Sequence, residues 1–173
     1  MTFEEIYNNH KNLVFNLALN YVNNIEDAEE ITQDVFVKIY EKIQNFKHQS
    51  ELKTWIYRIT INHSLDFIKA KQRKKRWFLF SNLRAEETKP SLEIADISHP
   101  GIDLEQKEAV EKILKSIASL KEEQKTVLIL LKIEELSQAE TAEVMKISVK
   151  AVESLLQRAK KNLKQALDLN EGI

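Results

Sequence analysis

Residues 137–157 read SQAETAEVMKISVKAVESLLQ. Ser137 followed by Glu140 is a capping box, in which hydroxyl and carboxylate each satisfy a free backbone N–H at a helix start. The helix it opens is short and ends near Met145. Ser148 is placed to cap a second, longer one. Two capped helices joined by a turn of about three residues fit a helix-turn-helix. Ala142 supplies the small residue needed where the helices cross, and Val144, Ile147, Val152 and Leu155 are spaced to seal the pair. Lys146 falls where the turn demands a left-handed backbone, a placement that costs a non-glycine residue about 1 kcal/mol. Thr141 falls where an aliphatic side chain is expected.

The longer helix, 149–165, leaves a polar face carrying Lys150, Glu153, Ser154, Gln157, Arg158, Lys160 and Lys161. In a DNA major groove Arg pairs with guanine, Gln with adenine, and Glu accepts from cytosine. Lysines mostly meet phosphates, which fix position without reading sequence. An amphipathic helix turned to solvent would look similar, but the capped helix and turn before it favour DNA binding.

Outward from this motif the whole chain reads as helical. Its 173 residues include only two Gly and two Pro, and Pro90, Pro100 and Gly101 fall in one short stretch. Helix breakers are thus nearly absent on either side, which predicts an all-α chain in two halves joined by a linker. In the second half Val110, Ile113, Leu114 and Ile117 keep helical spacing, and Ser119 with Glu122 reads as a capping box for a helix through Val127, Leu128, Leu130 and Leu131. In the first half Thr2 and Glu5 form a capping box for a helix over 2–21, and Asn24 caps the next, with its stripe of Ile31, Val35, Ile39 and Ile43. Ser50 is placed to cap a third helix through Leu52, Trp55, Ile56, Ile59, Leu65 and Ile68, into the basic run 69–76. Trp55 shares this apolar stripe and reads as core. The linker is expected from 77, and its start, Trp77 to Phe80, is an apolar stretch able to dock.

Charge alternates along the chain although the net is only −1. Residues 51–76 sum to +6 and 146–165 to +5, whereas 26–38 and 77–108 each sum to −4. Two cationic stretches suit two anionic contacts, and the acidic ones suit another kind of partner. There is no Cys, so neither a disulfide framework nor a thiolate metal site is available. His10, His48, His63 and His99 lack Glu-x-x-His spacing, Glu30 and Asp34 share a helix face without a second ligand set, and no Gly-rich phosphate loop is present. The sequence therefore predicts no enzyme, no metal and no cofactor. No run of 18 apolar residues predicts a membrane span, and the polar start MTFEEIYNNH predicts no secretory signal. A cytoplasmic protein without membrane insertion is expected.

Three stretches, DAEEITQDVFVKIYEKIQNF at 27–46, SELKTWIYRITINHSLD at 50–66 and LSQAETAEVMKISVKAVESLLQRAKKNL at 136–163, resemble the extracytoplasmic-function (ECF) sigma factors of RNA polymerase. Lys146, Thr141 and Glu153 stand where that family commonly has Gly, an aliphatic and a basic residue. The resemblance implies a region 2-like three-helix domain at 1–76, a flexible linker at 77–104, and a region 4-like helix-turn-helix domain at 105–170. It implies that Asp27, Glu30, Gln33, Asp34 and Phe36 contact core RNA polymerase, at the clamp of its largest subunit, with the second-largest subunit also a partner. It implies that Phe46, Lys47, His48, Gln49 and Ser50 form a loop capturing an extruded base of the promoter −10 element, that Asn62 reads a base, and that Arg58, Lys69, Lys71 and Arg73 hold the backbone. Ser154, Gln157 and Arg158 would then read −35 bases, with Lys150, Lys160 and Lys161 on phosphates. An anti-sigma factor masking both domains is a further partner the family implies. The other reading, a stand-alone helix-turn-helix regulator, leaves the acidic helix and the first basic helix without a shared purpose.

Overall fold

The computed structural model describes residues 2–46, 50–81, 113 and 115–170. The chain divides into two compact units, Met1–Ala95 and Asp96–Ile173. Among the described residues all regular structure is helical.

In the first unit, α1 spans Phe3–Val22 and α2 spans Ile25–Lys42, followed by a 3₁₀ turn at Ile43–Asn45. The expected capping box is formed: Glu5 N donates to Thr2 Oγ1 at 3.2 Å and Thr2 N to Glu5 Oε2 at 2.7 Å. Asn23 ends α1 in the left-handed conformation at φ 52°, which Asn tolerates better than most residues. Its neighbour Asn24 then caps α2, accepting from Asp27 N at 2.8 Å. Two adjacent asparagines therefore make the whole corner.

The third helix, α3, runs Leu52–Ser81. Ser50 does not cap it, because Glu51 supplies the first accepting carbonyl, to Trp55 N at 3.1 Å. Each of α1, α2 and α3 packs on the other two, around Ile6, Val14, Ala18, Ile31, Val35, Ile39 and Ile56. The buried side of α3 includes Thr60 and Ser64, both fully buried. Their hydroxyls donate back to Ile56 O at 2.9 Å and Thr60 O at 2.8 Å, so neither polar group is left unpaired where water is excluded.

Every residue from Lys71 to Phe78 is exposed, with Lys71 still paired to Asp27 of α2. The helix nevertheless continues five residues past the expected boundary at 76. Lys, Arg and Gln are good helix formers without tertiary support, and they fill 71–76. Trp77 and Phe78 are thus helical and exposed, 75% and 62%. The remainder of the expected linker lies outside the described residues.

In the second unit, residues 115–118 are helical. The helix expected from Val110 otherwise lies outside the described residues. Helix α4 spans Glu122–Leu128 and passes into a π-helical turn at Ile129–Ile133. The capping box expected of Ser119 and Glu122 is not formed. Lys121 occupies the cap position without a side-chain bond, and the Ser119 hydroxyl donates backward to Ser116 O at 2.7 Å. Ser119 thus closes the preceding turn instead of opening the next helix. The chain then makes a left-handed step at Glu135, φ 54°, into α5, Gln138–Met145, and α6, Val149–Asn170. Leu120, Leu128 and Ala159 form one small core and Val127, Ala142 and Val152 another.

Candidate nucleic-acid interface

The pair α5 and α6 has the geometry its sequence requires. Ser137 and Glu140 cap each other's backbone, at 3.2 and 2.8 Å, and Ser148 Oγ accepts from Ala151 N at 3.2 Å to start α6. Lys146 sits between them in the left-handed region, φ 55° and ψ 43°, and Ile147 N closes the turn on Ala142 O at 3.0 Å. Ala142, Val144 and Val152 are buried, with Ile147 and Leu155 packed against them.

Thr141 departs from this economy. It is fully buried, and its Oγ1 has no hydrogen-bond partner. A hydroxyl stranded in this way costs about 1–3 kcal/mol. Thr141→Val removes it at nearly constant volume and should raise the stability of this unit by about 1 kcal/mol. Urea denaturation of the two proteins at one pH checks this, and a valine variant of lower midpoint would contradict it.

All seven polar residues expected on the outer face of α6 are exposed. At about 100° per residue, Lys150, Ser154, Gln157, Arg158 and Lys161 form one stripe, while Glu153 and Lys160 lie to its side. Ser154 spends its proton on Lys150 O at 3.0 Å, so its oxygen meets a ligand as an acceptor. Sequence reading missed what holds this helix from behind: Asn162 Nδ2 donates to Gln124 Oε1 of α4 at 2.9 Å. It also missed Lys125, which is 9% exposed and whose ammonium burial pushes down to a pKa of about 8. The run Val127–Leu131 was the available signal, since it makes α4 apolar on more than one side.

In the first unit Glu30, Gln33 and Asp34 are exposed on α2 and Asp27 is half-buried. Phe36 differs: it is 5% exposed, with its ring 4.7 Å from that of Tyr7 and 6.4 Å from that of Phe3. It anchors α2 to α1 instead of presenting itself at the surface. Two of the carboxylates already face α3. Asp27 Oδ2 accepts from Lys71 Nζ at 2.6 Å, and Asp34 Oδ2 lies 3.0 Å from His63 Nε2, whose Nδ1 meets Lys38 Nζ.

The residues expected to hold DNA separate accordingly. Arg58, Asn62, Lys69 and Arg73 share one side of α3, whereas Lys71 lies about half a turn away on the side of Asp27. Asn62, Lys69 and Arg73 are exposed. Arg58 Nη1 lies 3.5 Å from Ser50 Oγ, tying the incoming loop to the helix. Phe46 starts that loop with its ring 5.0 Å from Trp55, and Trp55 itself packs against the core. Lys47, His48 and Gln49 lie outside the described residues. No group of three or more potential metal ligands occurs among the described residues, and no helix searched there is long and apolar enough to cross a membrane.

Comparisons with known proteins agree with this division. Residues 6–74 match the family model of sigma-70 region 2, and residues 110–163 that of sigma-70 region 4. Over 95% of its length the chain is 29% identical to an ECF RNA polymerase sigma factor, SigW, of Bacillus subtilis, covering 88% of that protein. It is 27% identical, again over 95%, to the RNA polymerase sigma-H factor of Pseudomonas aeruginosa, covering 86% of it. Among solved structures, the sigma factor RpoE from Bartonella quintana, in complex with the anti-sigma factor NepR, matches over 96% of both chains with a TM-score of 0.65 at 19% identity. CnrH, in complex with the cytosolic domain of CnrY, matches over 96% of this chain and 88% of that one, also at 0.65, with 21% identity. A stand-alone regulator would leave the region 2 match on the first unit without explanation. With region 2 and region 4 following one another on a single helical chain, the protein belongs to the extracytoplasmic-function family of RNA polymerase sigma factors.

Proposed function

We propose that this chain works in the cytoplasm, binding core RNA polymerase and directing it to promoters with no catalysis of its own. Its first domain is 1–76, a connecting segment follows over 77–104, and the second domain is 105–170. Glu30, Gln33 and Asp34 on α2, with Asp27 beside them, contact the clamp of the largest polymerase subunit, and Phe36 holds that helix in position. The second-largest subunit is a further contact. The loop from Phe46 to Ser50 captures an extruded −10 base, Asn62 reads one, and Arg58, Lys69, Lys71 and Arg73 hold the strand. Unpairing costs a few kcal/mol per base, which this capture must offset. Helix α6 reads the −35 element as duplex through Ser154, Gln157 and Arg158, with Lys150, Lys160 and Lys161 on phosphates. The observation that carries this reading is the pair of exposed cationic faces, one on α3 and one on α6, each in a unit matching a DNA-binding region of the family. An anti-sigma factor that covers these faces is a natural partner, since the structurally similar RpoE of Bartonella quintana is bound to one, NepR.

Run-off transcription with purified bacterial core polymerase and fragmented genomic DNA tests the whole reading. Discrete transcripts that depend on this chain are expected, and none at any salt concentration would refute it. On a promoter found in this way, Arg158→Ala should lose about 1–3 kcal/mol and relax selectivity at one −35 position. Lys161→Ala should weaken all sequences alike and flatten the salt dependence. Binding isotherms at several salt concentrations distinguish the two; equal, sequence-blind losses would remove Arg158 from base reading.

A further inference from the structure

We propose that Trp77, with Arg76 beside it, is a stacking site for an unpaired base of single-stranded DNA at the far end of α3. The proposal rests on the preceding reading, in which α3 lies along promoter DNA. At about 100° per residue, Arg58, Lys69, Arg73, Arg76 and Trp77 all fall within roughly 60° of the direction of Asn62. By backbone azimuth the cationic side that begins at the capture loop therefore extends to Trp77, whose indole also borders a groove lined by Lys74, Lys75 and Phe78. Asp66 shares this side, one turn beyond Asn62, and lines the groove between α2 and α3 with Asp27 and Glu30. Every charged residue after it on the helix is basic.

Trp77 has the exposure such a role needs, 75%. A large indole turned to water on a helix costs apolar hydration that ordinary packing would avoid. Among cations it suits a ligand with a flat π face and a phosphate on each side. Charge selects the occupant, because residues 69–76 hold six Lys/Arg and no acid, which repels a basic surface and attracts a phosphodiester chain. The indole selects the strand state. In duplex DNA each base face is covered by its neighbours, whereas an unpaired base leaves one open. Trp77 lies 15 residues from Asn62, or about 22 Å along the helix, the length of six or seven stacked nucleotides. A strand held at Asn62 thus reaches Trp77 within one short melted stretch or at its border with duplex.

The chain has two tryptophans, so Trp55→Phe leaves Trp77 as the sole indole reporter in the full-length protein. A mixed-sequence single strand of about 20 nucleotides, titrated at low salt, should quench its emission, and the matched duplex should not. Trp77→Ala should weaken single-strand binding about 5- to 150-fold and Trp77→Phe by much less. An unchanged affinity in Trp77→Ala, equal quenching by duplex, or emission already blue-shifted and indifferent to DNA because the chain covers its own indole would each overturn the proposal. Run-off transcription with the same proteins separates the two readings. A Trp77→Ala chain that transcribes normally and binds single strands normally removes the stacking site and leaves the sigma-factor reading standing. A wild-type chain that never transcribes with core polymerase removes the reading beneath it.

Discussion

Asp34→Lys should lower the affinity for core RNA polymerase by about two orders of magnitude, as expected when an opposite charge becomes a like charge across an interface, at several kcal/mol. Asp34 is exposed on α2, so the substitution opens no cavity. It does remove the 3.0 Å contact with His63 and places a cation one turn before Lys38. Exposed pairs of this kind contribute about 0–1 kcal/mol, so the folded state should lose little. A pull-down on core polymerase, run beside a thermal melt of the full chain, separates the two effects. Normal retention on core would take this carboxylate out of the interface.

Lys125→Met should stabilise the second unit by about 3 kcal/mol at pH 7, the scale set by moving a lysine pKa from its usual 10.5 to about 8. The sign follows from proton counting. In the folded chain burial favours the neutral amine, whereas the unfolded chain keeps its proton up to about 10.5. Below about pH 8 both states hold that proton, and the folded state bears the full cost of a buried ammonium. Between about 8 and 10.5 the unfolded state binds more protons, so wild-type stability gains with rising pH relative to the methionine variant. The advantage of Lys125→Met should therefore shrink across that interval. Denaturant midpoints of both proteins at pH 7, 9 and 10.5 measure it. A difference that stays constant with pH would mean that the Lys125 ammonium is solvated.

The helical architecture and the helix-turn-helix were legible because local chemistry dictates them. Capping residues at Thr2, Asn24, Ser137 and Ser148 bond as their spacing predicts, and Lys146 adopts the left-handed backbone expected of it. The failures have a common cause, which is competition that spacing does not reveal. Ser119 had two backbone acceptors or donors within reach and took the carbonyl behind it. Thr60 and Ser64 were absent from the apolar stripe of α3 because they are polar, yet both are fully buried, since a hydroxyl that bonds its own helix packs as a small apolar residue. Phe36 lay on the acidic helix and read as a contact, but the rings of Phe3 and Tyr7 on α1 claim it. Lys71 is as exposed as the rest of its basic run, and the three-dimensional position of Asp27 pairs it with α2.

The π-helical turn at Ile129–Ile133 holds one residue more than an α-helical turn would. Deleting a single residue there would let the ladder close as ordinary α-helix, but the point where the chain leaves the helix at Glu134 would turn by about 100° and shift by about 1.5 Å. In the proposed reading, the direction in which α6 meets DNA thus depends on one surplus residue, well away from the side chains assigned to bases. Loss of that residue would misdirect recognition while leaving each recognising group intact.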